Sequence, residues 1–154
     1  MQLSDIETPA LLIEQRILLR NIAAMQKAAD AWKVALRPHT KTHKMPAIAT
    51  MQIQAGAQGI TVAKTQEAVT MAAHNIRDIF IANEIVSPAK LEHIRELSSK
   101  GVHISFGIDS LEALERIEHT FTSEHPARIL IEVETGENRS GVIEEDYLVT
   151  LSKA

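Results

Sequence analysis

The chain contains no cysteine, which removes disulfides, thiolate metal sites and cysteine nucleophiles together. Aromatic residues are 3% of its 154 positions, leaving few rings on which nucleic-acid bases could stack. Positive charge is not in excess either. Against 20 Asp+Glu stand 16 Lys+Arg, a formal charge of -4, which is unsuited to coating a phosphate backbone. Nowhere do about 18 apolar residues run together as a membrane span needs, and the opening "MQLSDIETPALLIEQR" lacks the basic start and apolar centre of a signal peptide. The 6 glycines form none of the glycine-rich nucleotide fingerprints. Together these absences predict a cytoplasmic protein with neither nucleic acid nor membrane as partner, and the length predicts one domain over residues 1–154.

What is present is a repeated alternation. Leu18, Ile22, Met25, Ala29 and Trp32 recur at steps of four and three, one face of an amphipathic helix. A short β-rich piece, "VALR", follows. Helices are then predicted over "AIATMQIQAGA", "TQEAVTMAAHN", "SPAKLEHIRELSSKG" and "DSLEALERIEHT", each leading into a strand: "GITVA", "DIFIAN", "VHISFG" and "ARILIEVE". Ser87 is the expected N-cap of the third of these helices, Pro88 its first residue and Gly101 its stop, while Asp109 is the expected cap of the fourth. A last helix is expected over "EEDYLVTLSKA". Strand starts near Val34, Ile60, Ile79, Val102 and Arg128 are roughly 20 to 26 residues apart, the spacing of about five βα units. Units of this kind make parallel sheets, either open and doubly wound or closed into a (βα)8 barrel. A barrel takes about 250 residues, so five units would be part of one. Its two unpaired edges would invite self-association, with which a homo-oligomer is compatible.

The densest charge lies in "LRPHTKTHK", where Arg37, His39, Lys41, His43 and Lys44 gather. If the segment stays extended, Ala35, Arg37, His39 and Lys41 share one face, and Val34 and Leu36 pack the other way against helices. Pro38 marks the strand end, the end at which parallel α/β folds bind ligands. Three readings stay open: a solvated loop, a metal or anion site, and a reactive lysine. A lysine has an unperturbed pKa near 10.4, and converging cations with desolvation would favour its neutral, nucleophilic form. His39 and His43 have metal-pair spacing only on a helix, which Pro38 opposes. Lys64 and Thr65 sit just beyond the second strand, where capping the next helix competes with meeting a ligand. Glu132, Glu134, Glu137 and Arg139 cluster in "EVETGENRSGV" at the end of the fifth strand, as acid/base groups or as plain surface.

In this order, "LRPHTKTHK", "AGAQGITVAKTQEA", "DIFIANEIV" and "EVETGENRSGV", with "TPALLIE" near the start, resemble the N-terminal barrel domain of the D-threonine aldolase and D-serine dehydratase family, itself similar to alanine racemase. The resemblance implies an α/β fold that is part of a (βα)8 TIM-type barrel binding pyridoxal 5'-phosphate (PLP), with the later strands and a C-terminal β-domain absent and "TPALLIE" lacking its sheet partners. It implies that Lys41 carries PLP covalently, that Arg139 reaches toward the cofactor ring and that His39 borders it. The substrate class implied is a small D-amino acid, cleaved between Cα and Cβ or dehydrated by a PLP-dependent lyase. The alternative is a truncated, non-catalytic PLP-binding or anion-binding domain. A divalent metal belongs to the family's longer members, on ligands outside this chain, so no metal residue is assigned here. Without the phosphate-holding loops after the last barrel strands, weak PLP binding is expected of these residues alone.

Overall fold

The computed structural model describes residues 2–154. Its sheet has four parallel strands in sequential order: β1 (Ile60–Val62), β2 (Asp78–Glu84), β3 (His103–Ile108) and β4 (Ile129–Ile131). The crossovers carry α3 (Thr65–Ala73), α4 (Pro88–Ser99) and α5 (Leu111–Thr120), while α1 (Gln15–Ala31) and α2 (Pro46–Gln54) precede β1 and α6 (Glu145–Lys153) follows β4. None of the helices among the described residues is long and apolar enough to cross a membrane.

Alternation along the strands decides which face is covered. Ile60, Val62, Ile79, Ile81, Ile104, Phe106 and Ile108 all point to the helices and are buried. Phe106 has no exposed surface and its ring centroid lies 6.3 Å from that of Phe121 at the end of α5. The opposite face carries Thr61, Phe80 and Ser105 in register, then Gly107 beside Leu130. No helix covers these residues; Phe80 and Ser105 are half-buried and Leu130 is 50% exposed. A parallel sheet is ordinarily covered on both faces, so the bare one is where further structure or a ligand belongs.

The helix starts follow local chemistry. Ser87 precedes Pro88 at the first position of α4, and Gly101 ends the unit with φ +78, a conformation open to glycine. The cap of α5 is Ser110, not Asp109: Ser110 is extended and its hydroxyl accepts from the Ala113 N–H.

Three expectations are corrected. The strand expected from Val34 is reduced to one parallel bridge, His39 to Thr61. Thr61 N–H donates to the Pro38 carbonyl at 2.8 Å and Thr40 N–H to the Thr61 carbonyl at 2.8 Å. The next step back along this ladder would need an N–H at position 38, which proline lacks, so the pairing stops. Val34 consequently remains 55% exposed instead of packing against helices. On α1, Ala29 is buried but Met25 is 58% and Trp32 72% exposed, so the amphipathic face is largely uncovered. The last predicted strand shortens to three residues, followed by an isolated bridge from Val133 to Val142. The "TPALLIE" segment joins no strand pairing, and Leu11 is 92% exposed.

Two outcomes test this packing. Phe106→Ala should cost about 3–5 kcal/mol, read as a fall in the urea midpoint, because a fully buried ring leaves a cavity. Gly59→Ala should also destabilise, by about 1–3 kcal/mol, since a Cβ there would lie 2.6 Å from the Asp78 carbonyl oxygen and collide with the Arg37 guanidinium. An unchanged urea midpoint in Gly59→Ala would show that β1 and β2 are not held this closely.

Candidate active site

The carboxyl ends of the strands gather the polar chemistry. Thr40, fully buried, is bound twice to β1: its N–H and its hydroxyl both donate to the Thr61 carbonyl, at 2.8 and 3.1 Å. A turn over residues 41–43 follows, closed by Lys44 N–H donating to the Thr40 carbonyl at 2.7 Å. Lys44 itself has φ +52, a left-handed conformation that costs a non-glycine residue about 1–2 kcal/mol. Lys41 sits in this turn, exposed, two residues past the bridge that pairs His39 with β1.

The cations around it do not converge as the extended-strand argument expects. Arg37 turns away to the other end of the sheet, where its guanidinium meets the Asp78 carboxylate at 2.7 Å at the start of β2. Lys44 Nζ lies 3.0 Å from Glu67 Oε1. His39 Nδ1 accepts from the Lys41 N–H at 3.2 Å, and His43 Nδ1 from the Met45 N–H at 3.0 Å. Burial, and after it the Lys41 charge, push the His39 pKa below its usual value, and burial does the same to His43. Both rings are therefore neutral at physiological pH and, with Leu18, Ile22, Met25 and Ile48, they wall an apolar cavity of about 450 Å³ between α1 and α2. Among the described residues no three His, Cys, Asp or Glu side chains are grouped as a metal would require.

A second cluster stands at the ends of β2 and β4. Glu132 reaches across β3, passing over Gly107, where an added Cβ would lie 3.5 Å from Glu132 Oε2 and 3.5 Å from the Asn83 carbonyl oxygen. A hydrogen bond shared with Glu132, and then burial, raises the Glu84 pKa. The same bond, with the Ser140 hydroxyl donating to Glu132 at 2.7 Å, lowers that of Glu132. The two carboxyls thus titrate as a pair, with Glu84 shifted up and Glu132 down. Glu134 folds back onto its own loop, accepting from the N–H of Gly136 and, at 2.8 Å, of Arg139. Arg139 is exposed and lines a cavity of about 310 Å³ on the bare sheet face, with Phe80, Ala82, Gly107 and Glu132.

The structure therefore splits the predicted residues in two. Lys41 and His39 lie together at the end of the first segment, and Arg139 lies beyond β4 beside Glu132. Lys64 caps α3 through its backbone, its carbonyl accepting from Ala68 at 3.2 Å. Two residues were missed in the sequence. Glu84 closes the run "DIFIANE", and its position at a strand's carboxyl end was the available signal. Glu67 follows the cap of α3 by three residues, the spacing at which a helix-start glutamate reaches back to the backbone.

With this geometry in view, the comparisons with known proteins are specific. The family described as "Alanine racemase, N-terminal domain" matches residues 13–154. The chain is 36% identical over 152 residues to a D-threonine aldolase of Arthrobacter sp., covering 98% of this chain and 40% of that protein. It is 37% identical over 151 residues to the D-threo-3-hydroxyaspartate dehydratase of Delftia sp. strain HT23, covering 97% of this chain and 40% of that protein. The crystal structure of D-threonine aldolase from Filomicrobium marinum superposes with a TM-score of 0.92 at 33% identity, over 98% of this chain and 41% of that one. The chain thus spans about 40% of the length of the curated relatives it matches. Its parallel strands are an arc of their barrel, and the bare face is the barrel's interior. On this match, the chain belongs to the alanine racemase N-terminal domain family, whose members related to it here are enzymes.

Proposed function

We propose that the chain contributes the cofactor-carrying amine of a PLP-dependent lyase acting on small D-amino acids in the cytoplasm, with Lys41 as that amine. The observation that carries this reading is the position of Lys41: an accessible lysine on a doubly anchored turn at the carboxyl end of a parallel sheet, where α/β barrels hold their reactive groups. The names of the relatives support the substrate class, since they are a D-threonine aldolase and a D-threo-3-hydroxyaspartate dehydratase. The residues present fit the aldehyde end of such a cofactor, for Lys41 is exposed and adjoins a neutral imidazole. When bound, PLP supplies an electron sink for a bond broken at the substrate Cα.

The chain's own groups do the rest. Neutral His39 borders the Lys41 turn on its apolar side and leaves that amine without a second fixed cation. Arg139 gives the mouth a positive charge suited to an anionic oxygen. Glu84, shifted up by its contact with Glu132, stands with that residue at the ends of β2 and β4 and can exchange a proton with it. No step of this reading is assigned to a metal. A second reading, a PLP-binding piece without turnover, is favoured by the open flank on which Lys41 stands exposed.

Borohydride reduction of the protein mixed with PLP tests the assignment. Peptide mass spectrometry should find the label concentrated at Lys41 and lost in Lys41→Ala, with the other lysines unchanged; equal labelling of all accessible lysines would remove the proposal. Glycine release from D-threonine, or pyruvate from D-serine, supports the lyase, and selective label without either supports the second reading.

The glutamate pair carries its own prediction. Glu84 has a raised folded pKa, so its contribution to stability is present below its ordinary 4.5 and is lost as pH rises through the folded value. Glu132 has a lowered one, and its contribution is lost as pH falls. Thermal midpoints should therefore show a component that peaks around the ordinary carboxylate range. In Glu84→Gln, whose amide donates to Glu132 at any pH, the decline on the alkaline side should disappear.

A further inference from the structure

The Lys41 turn is fastened at its far end by a residue from another element. Glu67 is the third residue of α3, and its carboxylate makes two contacts away from its own helix. Its Oε2 accepts from the Ala63 N–H at 2.9 Å, just past the last residue of β1, and its Oε1 lies 3.0 Å from Lys44 Nζ. The Glu67 side chain is only 12% exposed, whereas that of Lys44 is 56% exposed. A nearly buried carboxylate needs its partners, and both of them lie on the segments that frame Lys41. Lys44 is also the residue held in the left-handed conformation. A non-glycine residue keeps such a conformation where its surroundings over-determine it, and here these are the Thr40 carbonyl behind and Glu67 ahead.

We infer that Glu67 is a positioning residue that locks the 41–44 turn against β1 and α3 and so fixes where the Lys41 amine stands. This rests on the reading of Lys41 as the cofactor-carrying amine. Thr40 ties the near end of the turn to the Thr61 carbonyl, and Glu67 ties the far end to the neighbouring backbone N–H at Ala63. With both ends held, the backbone from which the Lys41 side chain extends is fixed against the end of β1. With Glu67 neutral, Lys44 loses the contact that offsets its strained backbone, and the turn opens from its carboxyl side. The positive end of α3 favours the carboxylate as well. Burial opposes the charge on Glu67, but the Ala63 N–H and Lys44 outweigh it and keep the carboxyl below its usual range.

The test uses the whole chain and three variants: Glu67→Gln, which keeps the shape and removes the charge; Lys44→Met, which leaves the Ala63 contact untouched; and Lys44→Arg, which restores the ion pair. Hydrogen exchange at the Lys44 amide reads the turn, exchange of the β2 and β3 amides reads the fold, and the share of borohydride-trapped PLP on Lys41 reads the amine's placement. In both Glu67→Gln and Lys44→Met, exchange at Lys44 should rise by up to about fivefold, the range of a partly exposed ion pair, while the strands stay protected. The Lys41 share of label should fall, and Lys44→Arg should retain both wild-type values. Unchanged Lys44 exchange in the first two variants, or unchanged label share with faster exchange, overturns the inference. If Glu67→Gln loses the strand protection as well, Lys44→Met decides. Should the wild-type chain show no preference for Lys41, the cofactor reading fails by itself, and the exchange measurements still decide whether Glu67 holds the turn.

Discussion

The fold depends on one asymmetry: β1 to β3 bury one face, β4 half-buries it with Ile129 and Ile131, and the other face is left open. Ile60, Val62, Ile79, Ile81, Ile104, Phe106 and Ile108 are all withdrawn from water beneath the helices. At about 25 cal/mol per Å² of apolar surface, this single layer is the main source of stability the described residues possess. The opposite face mixes Thr61, Ser105 and Gly107 with Phe80 and Leu130, and among the described residues no helix covers it. Glu132 lies over Gly107 on this face, close enough that a Cβ there would touch its Oε2 at 3.5 Å.

A second consequence concerns Pro38. Proline there ends the ladder between the first segment and β1 after one bridge, since it has no N–H to donate. The chain is left with its last paired residues, His39 and Thr40, at the sheet's rim, and the turn that bears Lys41 begins immediately. Thr40 compensates for the short ladder by adding its hydroxyl to the bond its N–H already makes with the Thr61 carbonyl. Pro38 thus limits the pairing on the Val34 side, while on the other side the turn closed by Lys44 N–H on the Thr40 carbonyl carries Lys41 off the sheet.

Most elements were legible because each is specified locally. The helix over Pro88–Ser99 was readable from Ser87, Pro88 and Gly101, and β2 and β3 from dense runs of β-branched and aromatic residues. The first strand was misread because its residues favour extension while its pairing hinges on one absent N–H, a matter of register that composition does not carry. The convergence of cations was misread for a similar reason. Arg37 is long enough to reach past β1 to Asp78 on β2, 41 positions away in sequence, and periodicity does not contain that pairing. The family motifs singled out Lys41 and Arg139, whereas Glu67 and Glu84 went unremarked although they lie inside two of the quoted runs, "AGAQGITVAKTQEA" and "DIFIANEIV". What makes them stand out is the company the fold gives them: Lys44 and the Ala63 N–H for one, Glu132 for the other.

The rim also shows how charge is held without a buried ion. At the end of each strand the ladder gives out and a backbone N–H is left without a strand partner, as it is at the start of every helix. At β1 this donor is the Ala63 N–H, and Glu67 takes it; beyond β4 the N–H groups of Gly136 and Arg139 go to Glu134. In both places the backbone bond lowers the pKa of the carboxyl that accepts it, so the negative charge persists and its direction is fixed. The side chains then act outward from a rigid base: Glu67 on Lys44, and the loop around Glu134 on the placement of Arg139. A lysine or arginine at such a rim owes its position less to its own packing than to the carboxylate that has already paired with the strand end beneath it.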